Sequence, residues 1–453
     1  MKKPGRDCLP VPLMLGVALM WLVATLSAVL LWHWAPPFID ASYGTGHQPF
    51  EILGLTLSIT AIGSVALFVK RRTPNDWIVS GLWLLPVMAV IHQVSEYATP
   101  SWDWRCYVGA AEAVAAGLSP YSDCYVYPPG FAATLSAIYP VFEQLGEVIG
   151  FSGPKQWMLV FFFWHSGQVL MVALTAFLLH RLARREGLGG WLAVLLIAAL
   201  LVVNAPLDRT IRHNQVNLIV LNVMLLGIDR LRARPGAAGA LIGLAAHIKL
   251  LPAVLVAGLA IERRWRAVVG VAAMALGIFL VQVSSGDGVG LWAEFFATAP
   301  QFVQGEYFRD NSLTGLMFNL VRVPIDLAGG NIVGFAQPLR VLGMVASLAV
   351  VLWLSSGIRS TPDPDRLGAQ CMGLMLLVSP VAWEHHFVWA LPLAVVAVAR
   401  AGSQQPGRVA LGAFLIFGLP TFDVFPLSYH RLVGLILLML AVGGSQPTED
   451  SSG

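Results

Sequence analysis

A succession of apolar runs, each close to the thickness of a bilayer and separated from the next by arginine clusters, restricts this chain more than any other feature. The runs lie near 11–33, 51–69, 76–95, 156–180, 189–204, 214–230, 267–283, 338–355, 368–380, 387–400, 407–423 and 430–443. A helix needs ~20 apolar residues to cross the hydrocarbon layer, so the shorter runs have soft boundaries. Of the 453 residues 57% are hydrophobic and 12% charged, more apolar surface than a soluble core of that length can hide. The fold expected is an all-α polytopic membrane protein with about 12 transmembrane helices. The basic start "MKKPGR" leads into a long apolar run with no small-residue cleavage site, which reads as a retained first span. A net charge of +3 and the lack of basic runs interleaved with aromatics exclude nucleic acid as a partner, whereas membrane lipids are required.

Lys and Arg stay on the cytoplasmic side of membrane helices. Lys2, Lys3 and Arg6, then Lys70, Arg71 and Arg72, then Arg181, Arg184 and Arg185 share one side if both termini are cytoplasmic. So do Arg230, Arg232 and Arg234, then Arg263, Arg264 and Arg266, then Arg359 with Arg366 and Arg400 with Arg408. Segments 96–155, 205–213, 284–337 and 381–386 are then extracytoplasmic. Two stretches need special treatment. "YPPGFAATLSAIYPVF" (127–142) is apolar, but a crossing there would put "HRLARREG" outside; its three prolines favour an interfacial or re-entrant segment over a continuous helix. Residues 237–261 start and end beside cytoplasmic arginines, which favours a re-entrant helical hairpin with "HIKLLP" near its tip over a single crossing. A dozen-residue arm reaches roughly 18 Å, enough to carry Lys249 past mid-membrane. No 20–50 residue repeat and no inverted duplication is visible. The domain reading is two extra N-terminal spans over 1–75, a main bundle over 76–443, and a disordered cytoplasmic tail over 444–453.

Ionisable groups in or against a bilayer are costly, and four polar clusters fall on the same outer face. They are "SWDWRCY" with "YVYPPG", "DRTIRHNQVN" (208–217), "EYFRDNSLTG" (306–315) and "SPVAWEHHFVW" (379–389); "HIKLLP" approaches that face from within. Helix ends dressed for the interface explain any one of them, but five converging clusters point to a pocket. Asp103 either caps the helix that begins near Arg105 or acts as a base toward a sugar hydroxyl, and Ser101 could cap instead. Lys249 either pairs with a carboxylate or meets a lipid-linked phosphate. Arg212 and Arg309 offer positive charge from outer loops, where snorkelling is the alternative. Gln215 and Asn217 suit either substrate contacts or inter-helix hydrogen bonds. Glu384, His385 and His386 suggest a metal, but zinc ligands on a helix stand i, i+4. One imidazole orienting a substrate hydroxyl or leaving phosphate fits better. Four cysteines without a CxxC form no metal cluster. Cys106 and Cys124, outside the cytoplasm, could close a disulfide loop, with two free thiols as the alternative.

Asp103 with Tyr107, "GLSPY", "YPP" including Tyr127, "NQVN", "GLAAHIKLLP", "DNSLTG" with Asn311, and "SPVAWEHH" follow one another in order over about residues 95–400. Together they resemble the polyprenyl-phosphate-mannose-dependent alpha-mannosyltransferases, bacterial GT-C-type membrane enzymes that include those elaborating phosphatidylinositol mannosides. The resemblance implies a GT-C bundle in the bacterial plasma (inner) membrane, with short amphipathic helices in an extracytoplasmic loop. It also implies inverting transfer of a hexose, mannose by default, from a polyprenyl-phosphate donor to a glycolipid or glycan acceptor. Asp103 takes the place of the base. Lys249, Arg309 and His385 or His386 would face the leaving phosphate, and no cofactor or divalent metal is implied. The sequence departs from the family at Asn214, where glycine is usual, and in having two extra spans before the catalytic loop. A transporter or flippase of lipid-linked glycans is the competing reading; it predicts paired broken helices in matching halves.

Overall fold

A computed structural model describes residues 101–148, 156–284, 288–298, 310–329, 336–356, 363–401, 404–420 and 425–444. The two extra N-terminal spans, Arg309 and all but the first residue of the tail lie outside the described residues. Every regular element among those described is helical: α1 Trp102–Ala115, α2 Pro129–Val148, α3 Gln156–Arg185, α4 Gly190–Val202, α5 Ala205–Arg212, α6 Asn217–Arg230, α7 Pro235–Ile248, α8 Ala253–Ile261, α9 Trp265–Ser284, α10 Gly288–Thr298, α11 Leu313–Leu327, α12 Ala336–Ser356, α13 Pro364–Val378, α14 Leu391–Ala401, α15 Pro406–Ala413 and α16 His430–Gly444. Short polar signals set several starts. Asn204 accepts from the Leu207 N–H to cap α5, Asp363 does so from Asp365 for α13, and prolines stand in the first turns of α5, α7 and α13, where a missing N–H costs little.

Among the described residues one helix, Trp265–Ser284, is long and apolar enough to cross a bilayer alone, and α4 with α5 forms a second candidate bent by 52°. Shorter apolar helices accompany them over 235–248, 313–325, 337–350, 406–418 and 427–443. At the centre lies α14, whose residues from Leu391 to Ala397 are all buried, as befits a helix apolar on every side. Exposed apolar side chains concentrate on the periphery, for example Val269, Leu276 and Leu280 of α9 and Leu348, Leu352 and Trp353 of α12.

The hairpin expected over 237–261 follows from close helix packing. Gly239 of α7 lies against the Ala267 backbone of α9, Gly243 against Val271, and Gly270 against the Gly236 carbonyl; a Cβ at Gly239 or Gly270 would overlap its neighbour. From the Gly239–Ala267 contact to the Gly243–Val271 contact both helices advance by four residues in the same direction, so α7 and α9 are parallel. The chain between them must therefore return, and α8 does so, with Lys249 at the tip between α7 and α8.

The 127–142 segment differs from expectation. From Pro129 on it is part of a continuous 20-residue helix, α2, with Pro140 inside it. Pro129 begins the helix, where its lack of an N–H is harmless, and Pro140 removes only one internal hydrogen bond. The bundle thus has two polar ends, linked by α6, whose 14 residues run from Asn217 to Arg230 over about 20 Å.

Candidate active site

The NQVN stretch stands at the centre of one polar end. Asn214 adopts a left-handed backbone, φ 52°, a conformation asparagine tolerates better than most residues. Its side-chain oxygen accepts from the Ser101 N–H at 2.9 Å, and the Ser101 hydroxyl donates to the His213 carbonyl at 2.7 Å. Ser101 is also the N-cap of α1, accepting from the Trp104 N–H. The start of α1 is thereby sewn to residues 213–214, and Asp103, in the first turn, is not the cap.

The Asp103 carboxylate is hydrogen-bonded by Gln215 and lies 3.8 Å from His213 Nδ1. Burial raises its pKa, against the lowering effects of the Gln215 bond and the nearby His213 and Lys249 charges. Behind it, Tyr107 and Tyr127 donate to Gln215 Oε1 at 3.2 and 2.9 Å, and Gln168 Nε2 donates to the Gln215 carbonyl at 2.9 Å. Tyr107 is fully buried and packs edge-on against Tyr127 and Phe131. A Cys106–Cys124 disulfide, Cα atoms 5.3 Å apart, joins α1 to the loop before Tyr125 and Tyr127.

Lys249 arrives from the hairpin tip. Its ammonium donates to Asn217 Oδ1 at 2.8 Å, lies 3.0 Å from His386 Nε2, and sits over the Tyr127 and Trp389 rings at 5.0 and 5.2 Å. Among the described residues no carboxylate forms an ion pair with it. Asn217 Nδ2 and the Thr210 hydroxyl both donate to the His385 carbonyl, and Trp389 Nε1 donates to the Asn217 carbonyl. His385 and His386 open a 3-10 turn over Glu384–Ala390, their rings 4.6 Å apart and at 81° to each other. His386 stacks on Trp389, while His385 turns toward His213 at 5.9 Å. Burial, with Lys249 nearby, holds the His385 imidazole well below its usual pKa and hence neutral.

The turn is anchored from two further directions. Glu384 meets the fully buried Arg431 of α16 at 2.9 Å and Arg209 of α5 at 3.2 Å. Asp310 Oδ1 accepts from the Ala382 and Ser312 N–H groups, and Oδ2 from the Ser312 hydroxyl; burial pushes its pKa up to about 6.

Of the residues singled out in the sequence, Asp103, Tyr107, Tyr127, Gln215, Asn217, Lys249, His385 and His386 meet here. Asn311 sits beside the turn, its N–H donating to the Ala382 carbonyl. Arg212 pairs instead with Asp208 on its own helix, at 2.7 Å. Sequence reading missed Gln168, Thr210 and Trp389. Thr210 and Trp389 lie within the clusters 208–217 and 379–389, and Gln168 is an amide inside the otherwise apolar 156–180 run.

The protein-family comparison matches residues 125–380 to Glycosyltransferase family 87. A polyprenol-phosphate-mannose-dependent alpha-(1-2)-phosphatidylinositol pentamannoside mannosyltransferase of Mycolicibacterium smegmatis is 30% identical over 70% of this chain and 75% of its own. A polyprenol-phosphate-mannose-dependent alpha-(1-2)-phosphatidylinositol mannoside mannosyltransferase of Mycobacterium tuberculosis is 28% identical over 53% of this chain. The chain spans about half of the latter's length, 55%. The match covers α2 to α13 with the NQVN stretch and the Lys249 hairpin, and this chain belongs to Glycosyltransferase family 87.

Proposed function

We propose that the chain moves a mannosyl group from polyprenyl-phosphate mannose to a hydroxyl of a lipid-linked or glycan acceptor. The carrying observation is that one four-residue stretch holds both the acid and the cation: Gln215 bonds the Asp103 carboxylate and Asn217 bonds the Lys249 ammonium. In the reaction Asp103 takes the proton of the acceptor hydroxyl as its oxygen bonds to the anomeric carbon. The bond from that carbon to the phosphate oxygen breaks, its electron pair leaving with polyprenyl phosphate, and the configuration inverts. A raised carboxylate pKa favours the proton transfer. Lys249, desolvated and held by neutral partners, stabilises the charge that grows on phosphate. The reading assigns that charge to Lys249 and so requires no divalent metal. The names of the relatives support the donor class and a phosphatidylinositol-mannoside kind of acceptor.

Membranes containing the protein, supplied with a panel of labelled polyprenyl-phosphate sugars, should pass label from the mannose donor to a separable product. Label passed only from another sugar would correct the donor. Transport of a lipid-linked glycan without any transfer would favour the flippase reading.

The active site belongs, in this reading, to the extracytoplasmic face of a multi-pass bundle of about 12 spans. Single cysteines test the face in a background lacking Cys8 and Cys371. Leu118→Cys should react with an impermeant maleimide on intact cells, and Ala233→Cys only after permeabilisation; the reverse pattern would invert the topology.

A further inference from the structure

Gln215 is built into the site in a way that gives the two ends of its amide different tasks. Both phenol hydroxyls, Tyr127 at 2.9 Å and Tyr107 at 3.2 Å, address Oε1, and they also touch each other at 3.1 Å. Turned end for end, the amide would set its carbonyl oxygen against the Asp103 carboxylate and leave one of the two hydroxyl protons without an acceptor, so the observed orientation is the favoured one. The NH2 end is thereby turned to Asp103, which it hydrogen-bonds. The backbone of Gln215 is pinned as well, its N–H donating to the Thr210 carbonyl at 2.9 Å and its carbonyl accepting from Gln168. Gln215 is 1% exposed and Tyr107 not at all, so solvent does not compete for these bonds.

The geometry points to Gln215 as the positioning residue for the Asp103 carboxylate, with Tyr107 and Tyr127 setting the amide's polarity rather than contacting substrate. An N–H on the carboxylate fixes its rotamer and leaves the remaining lone pairs for the acceptor hydroxyl. That orientation has a chemical cost, because a donor on the carboxylate makes it a weaker base. The arrangement therefore trades some basicity for placement, and misplacement of a reacting group by about 1 Å can cost 10²-fold in rate. Lys249 also lies over the Tyr127 ring, but its polar contacts go to Asn217 and His386, so donor binding should not depend on the Gln215 amide.

The inference rests on the base role of Asp103, and the experiment separates the two. Transfer is measured over a pH series, with the KM for donor and thermal stability, for Gln215→Leu, Tyr107→Phe with Tyr127→Phe, and Asp103→Asn. Gln215→Leu should lower kcat by about 10²-fold, leave the donor KM within twofold, and move the acidic limb of the profile to higher pH, since the anion loses a donor. The double tyrosine variant should lower kcat in the same sense, and adding it to Gln215→Leu should cost nothing further, because the three act as one unit. Where Gln215→Leu does not fold, the double tyrosine variant carries the test alone through kcat and limb. An unchanged kcat and limb, or a rise in donor KM without a fall in kcat, overturns the positioning role. Transfer retained by Asp103→Asn sinks the base reading instead.

Discussion

At the arginine end of the bundle Asp365 meets both Arg185 and Arg232, Asp363 meets Arg232 and Arg400, and Arg400 also meets Glu186. At the opposite end Lys249 meets an amide, an imidazole and two aromatic faces, and Asp103 meets an amide and a histidine. Both ends are dense in ionisable groups, and at the second Glu384 closes on Arg209 and Arg431 to anchor the turn, but there Lys249 and Asp103 are held by neutral side chains rather than by an opposite charge. Paired charges satisfy the fold and have little left to offer a ligand. Charges held by neutral dipoles stay in place while keeping their field for something that arrives later. That contrast separates a structural clasp from a site more clearly than the number of polar residues does.

The sharpest way to break the comparison is to neutralise one charge at each end. Asp103→Asn should lower transfer by about 10³-fold while the melting temperature and donor binding stay close to the parent's. Lys249→Ala should lower donor affinity and kcat together, about 10²-fold, since a prearranged cation acts most on the charge that develops on the leaving group. An unchanged affinity for the lipid-phosphate donor would make Lys249 a structural residue after all. Asp365→Asn should do the reverse of Asp103→Asn. It strips the bidentate partner from Arg185, which keeps only Asp229, and should cost about 2 kcal/mol of stability, the scale of hydrogen bonds to a charged group. The folded fraction should retain the parent's kcat; a fall in kcat at constant stability would dissolve the distinction.

The sequence already carried much of this division. Arginine clusters at 181–185, 230–234 and around 400 marked one end, and each has a residue in the ion-pair network there, while Arg366 donates to the Val442 carbonyl. The NQVN and HIKLLP stretches marked the other, because a lysine and amides inside apolar runs have no cheap local explanation. What stayed hidden was of two kinds, a contact at long range and local features left unweighed. Ser101 and Asp103 are equally plausible caps on paper; Ser101 accepts the Trp104 N–H and is held there by its bond to the His213 carbonyl, 112 residues away. Arg212 reads as an outer-loop cation when its i, i+4 neighbour Asp208, which pairs with it, is not weighed against a substrate. The continuous α2 was obscured by counting prolines without weighing where along a helix each one falls.

The two ends should also respond to pH with opposite slopes. Burial drives Asp310 up to about 6, above an ordinary carboxyl, so below about pH 4 it is neutral in both folded and unfolded chains. As pH rises through 4 to 6 the unfolded chain releases that proton first, and stability falls by about 2 kcal/mol. Burial would raise Asp363 too, but the Asp365 N–H, Arg232 and Arg400 bring it below its usual value. Its contribution is therefore present above pH 4 and lost on acidification. Thermal melts between pH 4 and 6.5 should show a smaller fall for Asp310→Asn than for the parent, and melts below pH 4 should show a flatter acid side for Asp363→Asn. Parallel curves for parent and Asp310→Asn would mean the Ala382 and Ser312 donors fully compensate its burial.

The smallest effect separates capping from catalysis within one turn of one helix. Ser101→Ala removes the acceptor for the Trp104 N–H and the donor to the His213 carbonyl, and a lost cap costs about 1 kcal/mol. Asp103 is two residues further on and keeps its own bond to Gln215, so Ser101→Ala should lower the melting temperature slightly and kcat by less than Asp103→Asn does by orders of magnitude. Were Asp103 the true cap, the pattern would invert, with Asp103→Asn tolerated as a fair capping residue and Ser101→Ala silent. Measuring melts and transfer for both substitutions side by side distinguishes the two, because asparagine serves as a cap but not as a base.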